Sequence, residues 1–240
     1  MPPPGYEPFL AAICATPDDD TARLVYADWL DEHGDPDRAE FIRLQIAEPE
    51  RQTDRMTALW RENGADWLSE LPRLRGVEWW GLFRRGFVFG VIASAGKWFV
   101  EYSEIITRTV PFQYLGLNDA GQGTVSKVLA VPEVGQLTSL SLQLCRIAHG
   151  HIQVVTRCPR LDRLRGLTIT SRLGLSRGQS MSDDEAREFV GTPFLQLLEA
   201  IHMDGWISEE AERLLLTRFK TVRFQGWRRP QAPPAGTPSP

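Results

Sequence analysis

His149 and His151 are the side chains of this sequence that most resemble a metal-binding pair. Histidine is the commonest side-chain ligand for transition metals in proteins. Residues two positions apart do not share a helix face, however, and no carboxylate or third histidine lies nearby in the sequence. We therefore expect both histidines to be polar surface residues, and we predict neither a metal nor another cofactor.

Three consecutive aspartates, Asp18, Asp19 and Asp20, form the densest acidic cluster of the chain. Calcium-binding loops repeat their oxygen ligands at regular spacings along the loop. No further carboxylates follow this run at such a spacing. Aspartate is a favoured N-cap, so we expect the run to cap a helix and to be solvated.

The three cysteines, Cys14, Cys145 and Cys158, are odd in number, far apart and without a C-x-x-C motif. This arrangement favours neither a disulfide framework nor a zinc site. We expect Cys145 and Cys158 to be buried. No serine–histidine–aspartate or cysteine–histidine set has a persuasive spacing, and the sequence has no phosphate-binding glycine motif. The chain is therefore predicted not to be an enzyme.

Repeats in the second half of the chain are the elements that would position a binding surface. The segment Leu137-x-x-Leu140-x-Leu142-x-x-Cys145-x-Ile147 fills every apolar position of the leucine-rich-repeat pattern. Partial copies begin at Val88, Phe112, Leu164, Leu198 and Phe219. The intervals from Phe112 onward are 25, 27, 34 and 21 residues, and the longest predicts an insertion around residues 171–183.

A short strand and a returning helix cannot bury their apolar sides alone, so such units stack. We predict an α/β fold: a short leucine-rich-repeat solenoid with parallel strands on its concave face and return helices behind them. The return helices are expected at Ser126–Val131, Ile152–Arg157, Asp183–Val190 and Glu209–Arg218, with Ser182 and Ser208 as caps of the last two. The aromatic segment 79–89 is expected to cover the N-terminal end of the stack.

Side chains alternate between the two faces of a strand, so residues between the buried leucines face outward. The candidate partner-binding residues on the concave face are Tyr114, Asn118, Ser141, Gln143, Thr168, His202, Asp204 and Arg223. The last three form the charged group of that face, and we expect a protein partner to contact them. A competing hypothesis places the main contact on Trp79, Trp80 and Trp98, because tryptophan dominates interface energetics.

The first 70 residues are predicted to form an all-helical headpiece of four helices. Pro8 suits a first helical turn, and Gly34 suits a left-handed helix stop. Trp29 is expected between the second and third helices, Asp37 and Glu40 as a capping box of the third, and the fourth should end near Gly64. Residues 71–111 would be a linker with a degenerate first repeat, 112–227 the repeats, and 228–240 a disordered proline-rich tail.

The charge is divided unevenly along the chain. Residues 1–70 have a net charge of −10 and residues 71–240 a net charge of +6. The basic half contains Arg160, Arg163, Arg165, Arg172 and Arg177, so a nucleic-acid-associated subunit that binds phosphates is the alternative function. The isoelectric point of about 5.7 and only three lysines argue against it.

No apolar stretch approaches the roughly 20 residues that span a bilayer. The N-terminus also lacks the basic and apolar regions of a secretory signal. We therefore expect a cytoplasmic protein without a membrane partner.

The N-terminal stretch resembles the bacterial repeat-companion domain, a short module found ahead of divergent leucine-rich repeats. The matching segments are Phe9–Ile13, Arg23–Asp35 and Arg38–Gln45, and Phe83–Val88 resembles the linker strand of such proteins. The resemblance implies the architecture and a bacterial, intracellular setting, and it implies no activity. Together with the repeats it favours a non-catalytic protein-binding scaffold or adaptor, a subunit of a larger bacterial complex.

Overall fold

The computed structural model describes residues 4–118, 121–144, 149–171 and 179–225. Several positions singled out in the sequence lie outside the described residues: Cys145, Ile147, Arg172, Arg177 and the tail 228–240.

Four helices make up the N-terminal part of the chain: α1 (Glu7–Ala15), α2 (Asp20–Glu32), α3 (Pro36–Ala47) and α4 (Asp54–Ser69). Asp19 caps α2, since its carboxylate accepts a hydrogen bond from the backbone N–H of Thr21. Gly34 follows α2 with a φ of 91°, which confirms the predicted left-handed helix stop.

Two local predictions for these helices are corrected. Asp35 caps α3, so the predicted Asp37–Glu40 capping box is wrong, because Pro36 already occupies the first turn. Helix α4 does not end near Gly64 but continues past it, since the missing Cβ there leaves room for the Trp60 ring. Trp29 packs against the core to which α3 contributes Ala39 and Ile42, and its ring also contacts Phe9, Tyr26 and His33.

A seven-stranded sheet dominates the rest of the described chain. Its members are β1 (Val77–Trp79), β4 (Gly90–Ala93), β5 (Tyr114–Asn118), β6 (Ser139–Leu144), β7 (Gly166–Ser171), β9 (Ala200–Asp204) and β11 (Thr221–Gln225), in that spatial order. Strand β1 is antiparallel to β4, and every other neighbouring pair is parallel. Strands β2 (Phe83–Arg84) and β3 (Phe87–Val88) form a hairpin, and β8 (Gln179–Met181) pairs with β10 (Trp206–Ile207).

Helices return between the parallel strands and pack side by side in chain order. They are α5 (Gly96–Thr109), α6 (Gln122–Ala130), α7 (His149–Thr156), α8 (Asp183–Gly191) and α9 (Glu209–Leu216). The predicted serine caps of α8 and α9 are confirmed, the first as a full capping box. Helix α5 was not predicted.

The strands stack their apolar residues in register. Val91, Leu115, Leu140, Leu167 and Ile201 pair in sequence across the sheet, and each is at most 1 % exposed. Leu142, two residues after Leu140 on β6, is also fully buried. The predicted burial of Leu140 and Leu142 is therefore confirmed. The apolar residues three positions before each of the first set are also buried: Val88, Phe112, Leu137, Leu164 and Leu198. Residues that occupy the same position of the sequence repeat therefore also occupy the same position on successive strands.

The β2–β3 hairpin joins the helical part to the sheet. Its turn residues Arg85 and Gly86 have φ values of 51° and 84°, as a two-residue type I′ turn requires. Phe87 packs into the core of α1–α3, and Phe83 packs against the core formed by α3 and α4. Gln45 of α3 fixes the turn, because its amide donates to the Phe83 carbonyl and accepts from the Gly86 N–H.

Candidate functional site

The candidate site is the face of the main sheet opposite its five returning helices, which we call the open face. Residues that alternate with the buried leucines belong to it, because successive strand side chains point to opposite sides. All eight predicted partner-binding residues fall on the open face: Tyr114 and Asn118 of β5, Ser141 and Gln143 of β6, Thr168 of β7, His202 and Asp204 of β9, and Arg223 of β11.

These residues form rows across the strands. Gly116, Ser141, Thr168, His202 and Arg223 are successive partners in one row. Asn118 pairs with Gln143 in the next row, and Asp204 pairs with Gln225. With about 4.8 Å between strands, the distance from β5 to β11 is about 19 Å. A surface of that length matches an extended peptide of about six residues.

Tyr114 anchors the end of the open face nearest the hairpin. Its ring lies 4.7 Å from that of Trp80 and 6.2 Å from that of Phe89. Burial raises the pKa of Tyr114, and a side-chain hydrogen bond with Ser141 partly offsets that shift. The ring reaches Ser141 across Gly116, where a Cβ would lie 3.2 Å from the tyrosine hydroxyl. This end of the site is therefore an aromatic platform that passes directly into the polar row.

The opposite end of the open face is charged. His202 and Arg223 are register partners, and Arg223 is exposed. Where β9 and β11 begin, Glu199 bridges Lys220 at 2.8 Å and Arg165 at 3.6 Å. The hydrogen bond from Lys220 is the main reason that the pKa of Glu199 is lowered.

The three tryptophans of the competing hypothesis lie in different surroundings. Trp79 packs against the core and donates from its indole to the Pro72 carbonyl. Trp98 stacks on Tyr102, with Arg75 and Lys97 over its ring. Trp80 alone adjoins the open face, through Tyr114. The aromatic hypothesis and the open-face hypothesis therefore share one contact, that between Trp80 and Tyr114.

Asp18 has a role that the sequence analysis missed. Only Asp19 of the acidic run caps a helix. Asp18 accepts a hydrogen bond from Gln113, just before β5, at 2.7 Å and pairs with Arg163, just before β7. Its backbone carbonyl also accepts from Arg85 in the hairpin turn at 3.0 Å. Asp18 thus ties the headpiece to the hairpin and to two strands, and no local sequence pattern encodes contacts over such separations.

The arginines of the nucleic-acid hypothesis are partly committed to carboxylates. Arg163 is paired with Asp18 and Arg165 with Glu199. A phosphate would have to compete with these contacts, so this arrangement does not favour a nucleic-acid surface.

His151 is not the surface residue that the sequence suggested. Helix α7 begins at His149, earlier than predicted, and His151 is buried together with Ile152 and Val155. Cys158 is buried as expected. Within the described ranges, no group of three or more histidine, cysteine, aspartate or glutamate side chains is placed to hold a metal ion. In the same ranges, no helix has the length and apolar character needed to cross a bilayer.

A scan of protein-family models, a search of curated proteins and a search of solved structures each found no match to this chain.

Proposed function

We propose that the protein is a non-catalytic, bacterial, cytoplasmic scaffold or adaptor of the repeat-companion type, whose leucine-rich repeats bind a protein partner. In this proposal the parallel strands form a short solenoid, and the open face is its recognition surface. The headpiece covers the first unit of the stack.

One observation carries the proposal. Eight residues chosen from the repeat pattern all fall on one face of a parallel sheet, with an aromatic platform at one end and charged side chains at the other. Aromatic anchors supply most of the binding energy in protein interfaces, and flanking charges supply orientation and specificity. Between the two ends the face carries small residues such as Gly116 and Ser141, which leave room for a partner backbone.

The test compares three baits in a quantitative pull-down from the native host: wild type, the double variant Arg223→Ala with Asp204→Ala, and a control. The control is Glu210→Ala with Arg213→Ala, which removes an exposed ion pair on α9, on the opposite side of the sheet. We expect one protein partner to bind wild type and the control equally. The open-face double variant should bind at least about fivefold more weakly, which corresponds to about 1 kcal/mol.

Two further treatments separate this proposal from the nucleic-acid alternative. Phosphate contacts weaken steeply with salt, whereas an interface with an apolar anchor depends on salt less strongly. Loss of binding after nuclease treatment, or a steep salt dependence, would support a nucleic-acid-associated subunit. Equal loss of the partner from both double variants would contradict the open face as the site, and a Trp80→Ala variant that alone loses binding would move the contact to the aromatic end.

A further inference from the structure

A cavity of about 160 Å³ lies where the four N-terminal helices meet the hairpin and the end of α5. Its walls are mainly apolar and aromatic, with Tyr26, Trp67, Phe83 and Phe87 among them. The volume corresponds to about five water molecules. It is smaller than the pockets that take drug-sized ligands, and it fits one small organic molecule.

Arg38 is the cation of this cavity. Its guanidinium lies 4.5 Å from the Trp67 ring centroid, 4.9 Å from that of Phe83 and 5.4 Å from that of Phe87. The Nη1 atom is shut off from solvent and has no hydrogen-bond partner among the described residues. An unmatched buried donor on a charged group is costly, so a ligand acceptor there would be favourable.

Burial lowers the pKa of Arg38 to about 10, and the side chain therefore still carries its charge at neutral pH. Tyr26, Glu70 and Asp35 contribute smaller effects in the opposite direction. The cation is thus held in an apolar, aromatic enclosure without a direct ion pair in the described part of the chain.

Two carboxylates, Asp35 and Glu70, also line the cavity. Asp35 already accepts a hydrogen bond from the backbone N–H of Arg38 at 3.2 Å. A carboxylate accepts several hydrogen bonds, so this contact leaves Asp35 able to accept another from a ligand. A ligand with only a negative charge would be attracted by Arg38 and repelled by the carboxylates. A ligand with only a positive charge would be attracted by the carboxylates and repelled by Arg38.

We propose that this cavity binds a small zwitterion with an apolar body, of which an apolar α-amino acid is the simplest. The ligand carboxylate bonds Arg38, and the ligand ammonium faces Asp35. The apolar side chain contacts the aromatic walls. The site is separate from the open face, and this inference goes beyond the proposed protein-binding function.

Isothermal titration calorimetry on the full chain tests the inference with three matched probes. L-leucine carries both charges, 4-methylpentanoate only the carboxylate, and 3-methylbutylamine only the ammonium. We expect leucine to bind and each half-probe to bind at least about tenfold more weakly, the effect of losing one charged hydrogen bond. These measurements need no variant, so they remain decisive if substitutions in the core prevent folding.

Two variants assign the contacts. Arg38→Met should weaken leucine binding at least about tenfold. Asp35→Asn, which keeps an N-cap acceptor for α3, should weaken leucine but not 4-methylpentanoate. The matched control is Arg55→Met on α4, whose guanidinium pairs with Glu40 outside the cavity. Absence of leucine binding at millimolar concentration would overturn the inference. It would mean that cation–π contacts with the aromatic rings are enough to stabilise the buried Arg38 without a ligand. Equal binding of leucine and 4-methylpentanoate would overturn the zwitterion assignment.

Discussion

Arg218 shows how one side chain can complete the end of a helix. Its guanidinium donates to the carbonyls of Phe189, Val190 and Thr192 through Nη1, and to those of Phe194 and Leu195 through Nη2. These carbonyls belong to the last residues of α8 and the turn after it, where intrahelical partners run out. Arginine suits this position because its planar group presents several donors at once.

The first prediction is that Arg218→Met lowers the free energy of unfolding by about 2 kcal/mol or more, since several carbonyls lose a charged donor. Urea denaturation measures the loss. The control is Arg213→Met, which removes only an exposed pair with Glu210 and should cost less than about 0.5 kcal/mol. Equal losses for the two variants would mean that water replaces Arg218 at no cost.

Cys14 is the second residue whose environment makes a measurable prediction. Its thiol is buried between α1 and α5 and lies 3.7 Å from the Arg108 carbonyl. Burial raises the pKa of Cys14 to about 12, although the nearby Arg23 lowers it slightly. Because the thiolate is the reactive form, we expect native Cys14 to resist iodoacetamide at about pH 8 and to be labelled after unfolding, as peptide mapping would show.

The same pKa shift predicts a pH dependence of stability. The folded state holds the Cys14 proton more tightly than the unfolded chain, whose thiol titrates near pH 8.5. The resulting stability is complete below about pH 8.5 and is lost as the pH rises toward 12. Wild type should therefore lose more stability over this range than Cys14→Ala. Identical pH profiles would contradict the assigned burial of the thiol.

At the scale of elements, the hairpin turn depends on Gly86. Its φ of 84° disfavours any other residue, and an added Cβ would lie 2.3 Å from Ile42 Cγ1 and 3.0 Å from Ile42 Cα. The fourth prediction is that Gly86→Ala destabilises the protein by at least about 1 kcal/mol. Gly81→Ala, in the turn before the hairpin, meets no atom within 4 Å and is the control. A thermal melt of Gly86→Ala that matches this control would disprove the steric argument.

The sequence predicted elements well wherever a repeating apolar pattern or a cap marked them. Ser182 and Ser208 located α8 and α9, because a serine cap with acidic residues behind it is a local signal. Helix α5 was missed for the opposite reason. It begins at Gly96 without a side-chain cap and contains several β-branched residues, such as Val100 and Ile105, which lower helix propensity. Packing against the sheet, and not its local sequence, stabilises it as a helix.

At the scale of the whole molecule, Asp18 links parts of the chain that are far apart in sequence. Its partners Gln113 and Arg163 are 95 and 145 residues away. The fifth prediction is a coupling energy of about 0.5–1 kcal/mol between Asp18→Ala and Arg163→Ala in a double-mutant cycle, decreasing as salt is added. Asp18→Asn keeps an acceptor for Gln113 and should lose only the charge-dependent part. A coupling of zero at low salt would remove the ion pair as a link between headpiece and sheet.

The candidate site was predictable to the extent that it follows from strand register. Alternation about Leu140 and Leu142 places Ser141 and Gln143 outward, and the same rule repeats in each unit. The contact of Tyr114 with Ser141, the enclosure of Arg38 and the links of Asp18 were not predictable. Each depends on side chains from different elements meeting in space, and a single sequence does not specify such meetings.

The strand order of the sheet has a consequence for synthesis on the ribosome. From β4 onward each new member of the main sheet joins the edge left by the one made before it. A nascent chain growing at about 5–20 residues per second can therefore add each of these main-sheet strands soon after it emerges. Asp18, by contrast, is translated long before its partners. Gln113 emerges first, and Arg163 follows fifty residues later, after about 2–10 seconds. The Asp18 link between headpiece and sheet is therefore complete only after β6, the third strand beyond the hairpin, has been made.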